Sequence, residues 1–154
     1  MLAAEPSRQP LSLIDLGVSK GDWAVAARGL LATLVVALPI GYLTGFLTMP
    51  HVPRLNVMNA VIDIAQLVLF EELLFRGWLF RWLVGRVGLQ PAAVLSSAIF
   101  GLAHFIKFDY PMVLMATWAG YVLALAYHKT GRISTPMFLH AALVVIELFV
   151  LPGS

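Results

Sequence analysis

The sequence predicts an all-α membrane protein, a polytopic bundle of about five transmembrane helices in one domain. Hydrophobic residues make up 60% of the 154 residues and charged residues 12%, and the mean hydropathy is +0.89. Soluble domains average about 45–50% apolar and about 25% charged residues. The apolar residues also form runs near the length of about 20 that a transmembrane helix needs. Both observations exclude an ordinary soluble domain.

Five apolar runs carry this prediction, and prolines mark several of their ends. Pro50 and Pro53 break the chain after the first run, and Pro91 suits a first helical position. Thr135 followed by Pro136 is typical of an N-cap and a first helical residue. Residues 1–28 are expected to form a polar or interfacial arm before the membrane domain at 29–154. The predicted spans are 29–49, 57–84, 91–108, 111–127 and 135–151.

The placement of Lys and Arg predicts the orientation. Cytoplasmic loops are enriched in these residues, so the bias favours an N-terminus inside and a C-terminus outside, in what we expect is a prokaryotic cytoplasmic membrane. The chain has no cysteine, which excludes disulfides and thiolate metal sites. The net charge is only +2 and there is no basic stripe, so membrane lipid is the expected surroundings and nucleic acid is not an expected partner.

The stretch LFEELLFRGWLF, residues 69–80, carries three ionisable groups inside an apolar run. Such groups cost free energy at bilayer depth and mark functional sites by default. Arg76 lies four residues after Glu72, the spacing of a helical ion pair. Glu71 points about 100° away from Glu72 on an α-helix, so it is left for another partner. A purely structural role for all three groups is the alternative.

Two histidines on other predicted helices supply that partner. Glu71, His104 and His140 come from three helices and are predicted to converge on one water or one metal ion. A Glu and two His also suit zinc, although an HExxH pair is absent. Glu147, two helical turns after His140, is a further candidate member of the site. A buried carboxylate such as Glu71 is suited to act as a general base near neutral pH.

Three motifs in this order resemble those of the CAAX protease and bacteriocin-processing family, also called the Abi family. EELLFRG, residues 71–77, resembles its E-E-x-x-x-R motif, and FGLAH, which contains Phe100 and His104, resembles F-x-x-x-H. TGRISTPMFLH, ending at His140, resembles the approach to its third motif. The likeness runs from about residue 57 to residue 151.

The resemblance implies an intramembrane endopeptidase that cleaves a peptide bond near the cytoplasmic membrane face. Glu71 would then be the water-activating base, acting with His104 and His140, while Glu72, Arg76 and Phe100 support the site. A peptide or protein substrate with a lipidated or membrane-anchored terminus is compatible with the family. Glutamate-type and zinc-dependent hydrolysis both stay open.

One position departs from the family pattern. Val144 stands four residues after His140, where the family usually has Asn or Asp. Glu147, Arg76 or a backbone N–H would then have to replace that side chain as an oxyanion donor or its equivalent. A catalytically inactive immunity or scaffold protein of the same family is the alternative function.

Overall fold

The computed structural model describes residues 20–45, 57–105 and 110–149 of the chain. Within these ranges the regular structure is entirely helical, which confirms the predicted all-α fold class. The elements in chain order are α1 (Lys20–Leu43), α2 (Val57–Glu72), a π-helical segment (Leu73–Phe80), α3 (Arg81–Val87), α4 (Leu89–His104), α5 (Tyr110–Thr130) and α6 (Ser134–Phe149).

The second predicted run is a single helical stretch built from three parts. α2 passes into the π-helical segment at Leu73, and that segment passes into α3 at Arg81. Gly88, with φ of 82°, then separates α3 from α4. A positive φ is readily adopted by glycine and disfavoured for other residues. Gly88 is therefore the single residue between the two helices, and α4 begins at Leu89, before Pro91.

The first helix differs most from its predicted bounds. α1 begins at Lys20 and ends at Leu43, whereas the apolar run covers residues 29–49. The guanidinium of Arg132 donates a hydrogen bond of 2.7 Å to Asp22, which ties the first turn of α1 to the turn between α5 and α6. Part of the predicted arm is therefore helical. The rest of the predicted arm, residues 1–19, lies outside the described residues.

The middle of the bundle is formed where α5 packs against α1, α4 and α6. Gly120 on α5 permits its close approach to α4, because a Cβ there would lie 3.0 Å from the Phe100 ring and 3.2 Å from Ser97. The buried face of α4 is formed largely by small residues, namely Ala92, Ala93, Ser96, Ser97 and Gly101. Small residues let membrane helices approach closely.

The distribution of polarity is that of a membrane bundle. Arg76 is 2% exposed and Glu72 is 0% exposed, whereas large apolar side chains such as Leu31, Leu43 and Leu102 point outward. Two helices, Lys20–Leu43 and Tyr110–Thr130, have the length and apolar composition needed to cross a membrane. Leu89–His104 and Ser134–Glu147 are apolar but shorter.

Candidate active site

The paired glutamates lie where the α-helical hydrogen-bond pattern changes. Glu71 and Glu72 are the last two residues of α2, and the π-helical segment starts at Leu73. In a π-helix the hydrogen bonds run from residue i to i+5, and such segments are frequent at functional sites. The wider turn brings Arg76 within the electrostatic influence of both carboxylates. On an α-helix, Glu71 would point away from Arg76. Because the segment is π-helical, this expectation is met only in part.

The predicted ion pair between Glu72 and Arg76 is confirmed. Arg76 Nη1 donates a hydrogen bond of 3.0 Å to Glu72 Oε1, and Nη2 donates one of 3.2 Å to the carbonyl oxygen of Gly120 on α5. The Arg76 Cζ atom also lies 4.4 Å from the centroid of the Phe100 ring on α4, a cation–π contact. Arg76 therefore joins the π-helical segment to two further helices.

Glu72 has a second role that spacing did not reveal. The same Oε1 atom accepts a hydrogen bond of 2.8 Å from Nδ1 of His140 on α6. Because a carboxylate can only accept when ionised, the proton of this bond belongs to the imidazole, and Nδ1 of His140 is protonated. Glu72 thus fixes the ring of His140 and turns Nε2 toward the remaining carboxylate. The residues lie 68 positions apart, so no local sequence signal could have shown the contact.

Glu71 faces the free side of the same imidazole. Its Oε2 atom lies 3.7 Å from Nε2 of His140, and the Glu71 side chain is 18% exposed, against 0% for Glu72. A separation of 3.7 Å is too long for a direct hydrogen bond. Oε2 is buried and has no hydrogen-bond partner within the described part of the chain. Glu72 Oε2 is likewise buried without a hydrogen-bond partner among the described residues, so the two carboxylates differ in the two bonds of Glu72 Oε1 and in the greater exposure of Glu71.

His104 reaches the same cluster through Phe100. Its Nδ1 lies 2.8 Å from the carbonyl oxygen of Phe100, an atom that can only accept, so Nδ1 carries the proton and Nε2 carries the lone pair of the neutral ring. The imidazole lies 4.6 Å from the Phe100 ring, and the imidazole of His140 lies 5.7 Å from that ring. Phe100 thus contacts Arg76 and both histidines, which makes it the packing centre of the cluster.

Two residues of α6 lie beyond His140. Glu147 is partly buried and interacts electrostatically with His140. Val144 is partly buried one turn after His140. An apolar side chain at this position supplies no hydrogen-bond donor, so the departure from the family pattern is also a chemical difference in the site.

The residues proposed as zinc ligands do not form a metal cluster. Among the described residues, no three His, Asp or Glu side chains are arranged so as to hold one ion. Glu72 is already bonded to Arg76 and His140, and Nδ1 of His104 is bonded to the backbone. These bonds leave the Glu71 carboxylate and the Nε2 atoms of both histidines, and these groups are not arranged so as to hold one ion.

A helical membrane bundle whose interior holds two carboxylates, an arginine and two histidines from three helical stretches has the composition of a functional site rather than of a packing core. The profile of the family described as "Type II CAAX prenyl endopeptidase Rce1-like" matches residues 53–146. The chain belongs to this family. The match contains the two glutamates, Arg76, Phe100 and both histidines.

A curated bacterial relative supports the same assignment. The chain is 34% identical over 89 residues to "Putative membrane peptidase YdiL" of Bacillus subtilis (strain 168). The aligned part is 58% of this chain and 34% of the relative, so the chain spans about a third of the length of that protein. No solved structure matches the chain.

Proposed function

We propose that the protein is an intramembrane endopeptidase in which Glu71 activates a water molecule. The observation that carries the proposal is the contrast within one turn of helix. Glu72 is 0% exposed and its Oε1 is held by Arg76 and His140, while Glu71 is 18% exposed and its Oε2 lies 3.7 Å from His140 Nε2. Because this separation is too long for a direct hydrogen bond, we propose that a water molecule joins the two groups.

A water molecule between Glu71 and His140 becomes a nucleophile when the Glu71 carboxylate removes a proton from it. Glu71 takes one proton from the water while the water oxygen forms a bond to the carbonyl carbon of the peptide. His104 assists through Nε2, which holds the lone pair in the neutral ring. A general base of this kind contributes about 10²- to 10⁴-fold to a rate. The carboxyl proton gained by Glu71 is then available to the leaving amine when the C–N bond breaks.

His140 completes the proposed mechanism. Its Nδ1–H is engaged with Glu72, so a protonated ring presents Nε2–H to the tetrahedral oxygen or to the leaving amine. Donors aimed at a developing oxyanion contribute about 10²- to 10³-fold. Because Val144 provides no donor, this role falls on His140, with Glu147 or Arg76 as candidate assistants. Arg76 is the weaker of these, since its guanidinium is already occupied by Glu72 and by Gly120.

The proposed site acts close to the cytoplasmic face of a multi-pass protein. Two of the described helices, α1 and α5, have the length and composition to cross a membrane. We propose five crossings, made by the α2–π–α3 stretch and the four other helices, with the N-terminus inside by the distribution of Lys and Arg. We propose a peptide or protein substrate whose terminus is lipidated or membrane-anchored. We also propose that hydrolysis is of the glutamate type, because the described ligands do not form a metal cluster.

The Glu71→Gln variant tests this function. The amide keeps the size of the side chain but cannot accept a proton, so peptide hydrolysis in proteoliposomes is expected to disappear while the amount of folded protein in the membrane stays the same. Loss of folded protein together with activity would mean that Glu71 only holds the bundle together.

One observation favours a second candidate, an inactive immunity or scaffold protein. Val144 removes a donor from the third motif, and a bundle that only binds a partner would tolerate that change. This candidate predicts that Glu71→Gln leaves the biological function intact. Retained function with a normal level of folded protein would therefore replace the enzymatic proposal.

A further inference from the structure

Helix α1 lies outside the residues that match the family model, yet it packs along both α5 and α6. Trp118 on α5 donates an indole hydrogen bond of 3.0 Å to the carbonyl oxygen of Ala32, which fixes the middle of α1 to α5. The candidate active site is built on other helices. α1 is therefore held in the bundle by contacts that the site itself does not provide.

Two contacts hold α6 and the turn before it against α1. In the first, Arg132 donates a hydrogen bond of 2.7 Å to Asp22, whose side chain is 8% exposed. In the second, Gly29 packs on Leu139, which is 1% exposed, and a Cβ at Gly29 would lie 2.7 Å from Leu139 Cδ2. Gly29 follows Asp22 by seven residues, and Leu139 follows Arg132 by seven. The two contacts therefore match along the two chain segments.

The position of α6 decides whether His140 can bond to Glu72. Leu139 and His140 are neighbours on α6, so their side chains point about 100° apart: Leu139 contacts α1, and His140 contacts Glu72 at the end of α2. The bond from His140 Nδ1 to Glu72 Oε1 measures 2.8 Å, and such bonds lie between about 2.7 and 3.2 Å. A movement of α6 away from α2 by about 0.5 Å would exceed that range.

We propose that Asp22, Gly29 and Arg132 are positioning residues, which hold α6 at the place where His140 Nδ1 meets Glu72. This inference rests on the proposed function, in which His140 acts on the tetrahedral oxygen or the leaving amine. The three residues affect hydrolysis through the position of His140 and not by contact with the substrate. When either contact with α1 is loosened, the imidazole loses its bond to Glu72, and Nε2 is no longer held toward Glu71.

Substitutions of Arg132 test the first contact. Arg132→Gln removes the charge opposite Asp22, whereas Arg132→Lys keeps it. In proteoliposomes, Arg132→Gln is expected to lower kcat about 2- to 30-fold, the range for mutations that act on a site through packed contacts. KM is expected to stay the same, because the groups that bind the substrate are unchanged. Arg132→Lys should retain most of kcat. Arg28→Gln is the matched control, since Arg28 is exposed on α1.

Gly29→Ala tests the second contact and serves as the second variant if Arg132→Gln does not fold. Its methyl group would lie too close to Leu139, so Leu139 and α6 have to shift. Gly85→Ala is the matched control, because a Cβ at Gly85 has no neighbour within 4 Å. Alanine favours a helix over glycine in both variants. A fall in kcat that is confined to Gly29→Ala therefore measures the contact with Leu139.

The imidazole of His140 measures the proposed effect without hydrolysis. Protein labelled with ¹⁵N-histidine is placed in nanodiscs, and its magnetic resonance spectrum is recorded at a pH at which the ring is neutral. The signals of His140 are assigned by their loss in His140→Ala. In the unmodified protein the proton lies on Nδ1, where Glu72 accepts it. Arg132→Gln and Gly29→Ala are expected to add a population with the proton on Nε2, while Arg132→Lys and both controls keep the unmodified spectrum.

An unchanged His140 signal in both Arg132→Gln and Gly29→Ala would overturn the proposal. Equal losses of kcat in Arg132→Gln and Arg132→Lys, or a change in KM alone, would overturn it as well. The two kinds of measurement also separate this inference from the proposed function. A changed His140 signal in these variants, with no hydrolysis by the unmodified protein, contradicts only the enzymatic proposal. Hydrolysis by the unmodified protein, with an unchanged His140 signal in both variants, contradicts only the positioning role.

Discussion

Glu71 and Glu72 are adjacent residues with the same side chain, yet the fold gives them opposite surroundings. Glu72 is 0% exposed, and one of its oxygens is bonded both to Arg76 and to His140. Glu71 is 18% exposed, and its nearest charged contact is 3.7 Å away. The carboxylate that is bonded to Arg76 and His140 is suited to stabilise the fold, while the more exposed carboxylate beside the imidazole is suited to react. The comparison separates a positioning residue from a candidate catalytic residue.

The largest effect on stability is expected from the partner of Glu72. Arg76→Met removes a buried cation and leaves the Glu72 carboxylate with one partner fewer, which is expected to cost about 3–5 kcal/mol of unfolding free energy. The measurement is an unfolding titration of the protein in detergent micelles. Arg86→Met is the matched control, because Arg86 is exposed on α3 and contacts Trp82 at 3.9 Å. Equal losses of unfolding free energy in the two variants would show that the buried ion pair contributes no more to stability than an exposed arginine does.

The histidines extend the comparison from stability to rate. His140→Ala is expected to lower peptide hydrolysis about 10²- to 10³-fold, because it removes the donor that faces Glu71. His104→Ala is expected to lower it about 10²-fold through the lost assistance to the base. His128→Ala is the control, since His128 is exposed at the end of α5. If either site variant hydrolyses peptide at the rate of the control, the corresponding role is wrong.

A gain of function is expected where the family pattern is broken. Val144→Asn places an amide donor one turn after His140 and is expected to raise kcat by about tenfold, less than the 10²- to 10³-fold that an optimised oxyanion donor contributes. Val145→Asn is the neighbouring control, because Val145 is 44% exposed on the outer face of α6. An unchanged or lower kcat in Val144→Asn would show that the proposed oxyanion site lies elsewhere.

No effect is expected from metal removal. Because no three His, Asp or Glu side chains of the described residues are arranged to hold one ion, hydrolysis should survive dialysis against a chelator, and the purified protein should contain much less than one zinc ion per chain. Loss of activity that zinc alone restores would show a metal-dependent reaction and would contradict the glutamate-type proposal.

Local signals in the sequence predicted most of the fold and part of the site. Apolar runs identified the helices, and the i,i+4 spacing identified the ion pair of Glu72 with Arg76. Two further hydrogen bonds, between Glu72 and His140 and from Arg76 to the carbonyl oxygen of Gly120, depend on how distant helices pack. The spacing of residues along the sequence does not encode this packing. The π-helical segment was missed because the periodicity argument assumes 3.6 residues per turn. The start of α1 was missed because the tie between Asp22 and Arg132 forms only in the bundle.

The division of roles between the two glutamates is tested most directly by measuring Glu71→Gln and Glu72→Gln in one proteoliposome preparation. For Glu71→Gln, hydrolysis should fall about 10²- to 10⁴-fold with unfolding free energy within about 0.5 kcal/mol of the unmodified protein. For Glu72→Gln, the unfolding free energy should fall by about 3–5 kcal/mol, since Arg76 becomes a buried cation without its carboxylate. Equal destabilisation by the two variants, or hydrolysis that persists in Glu71→Gln, would contradict the assignment of Glu71 as the base.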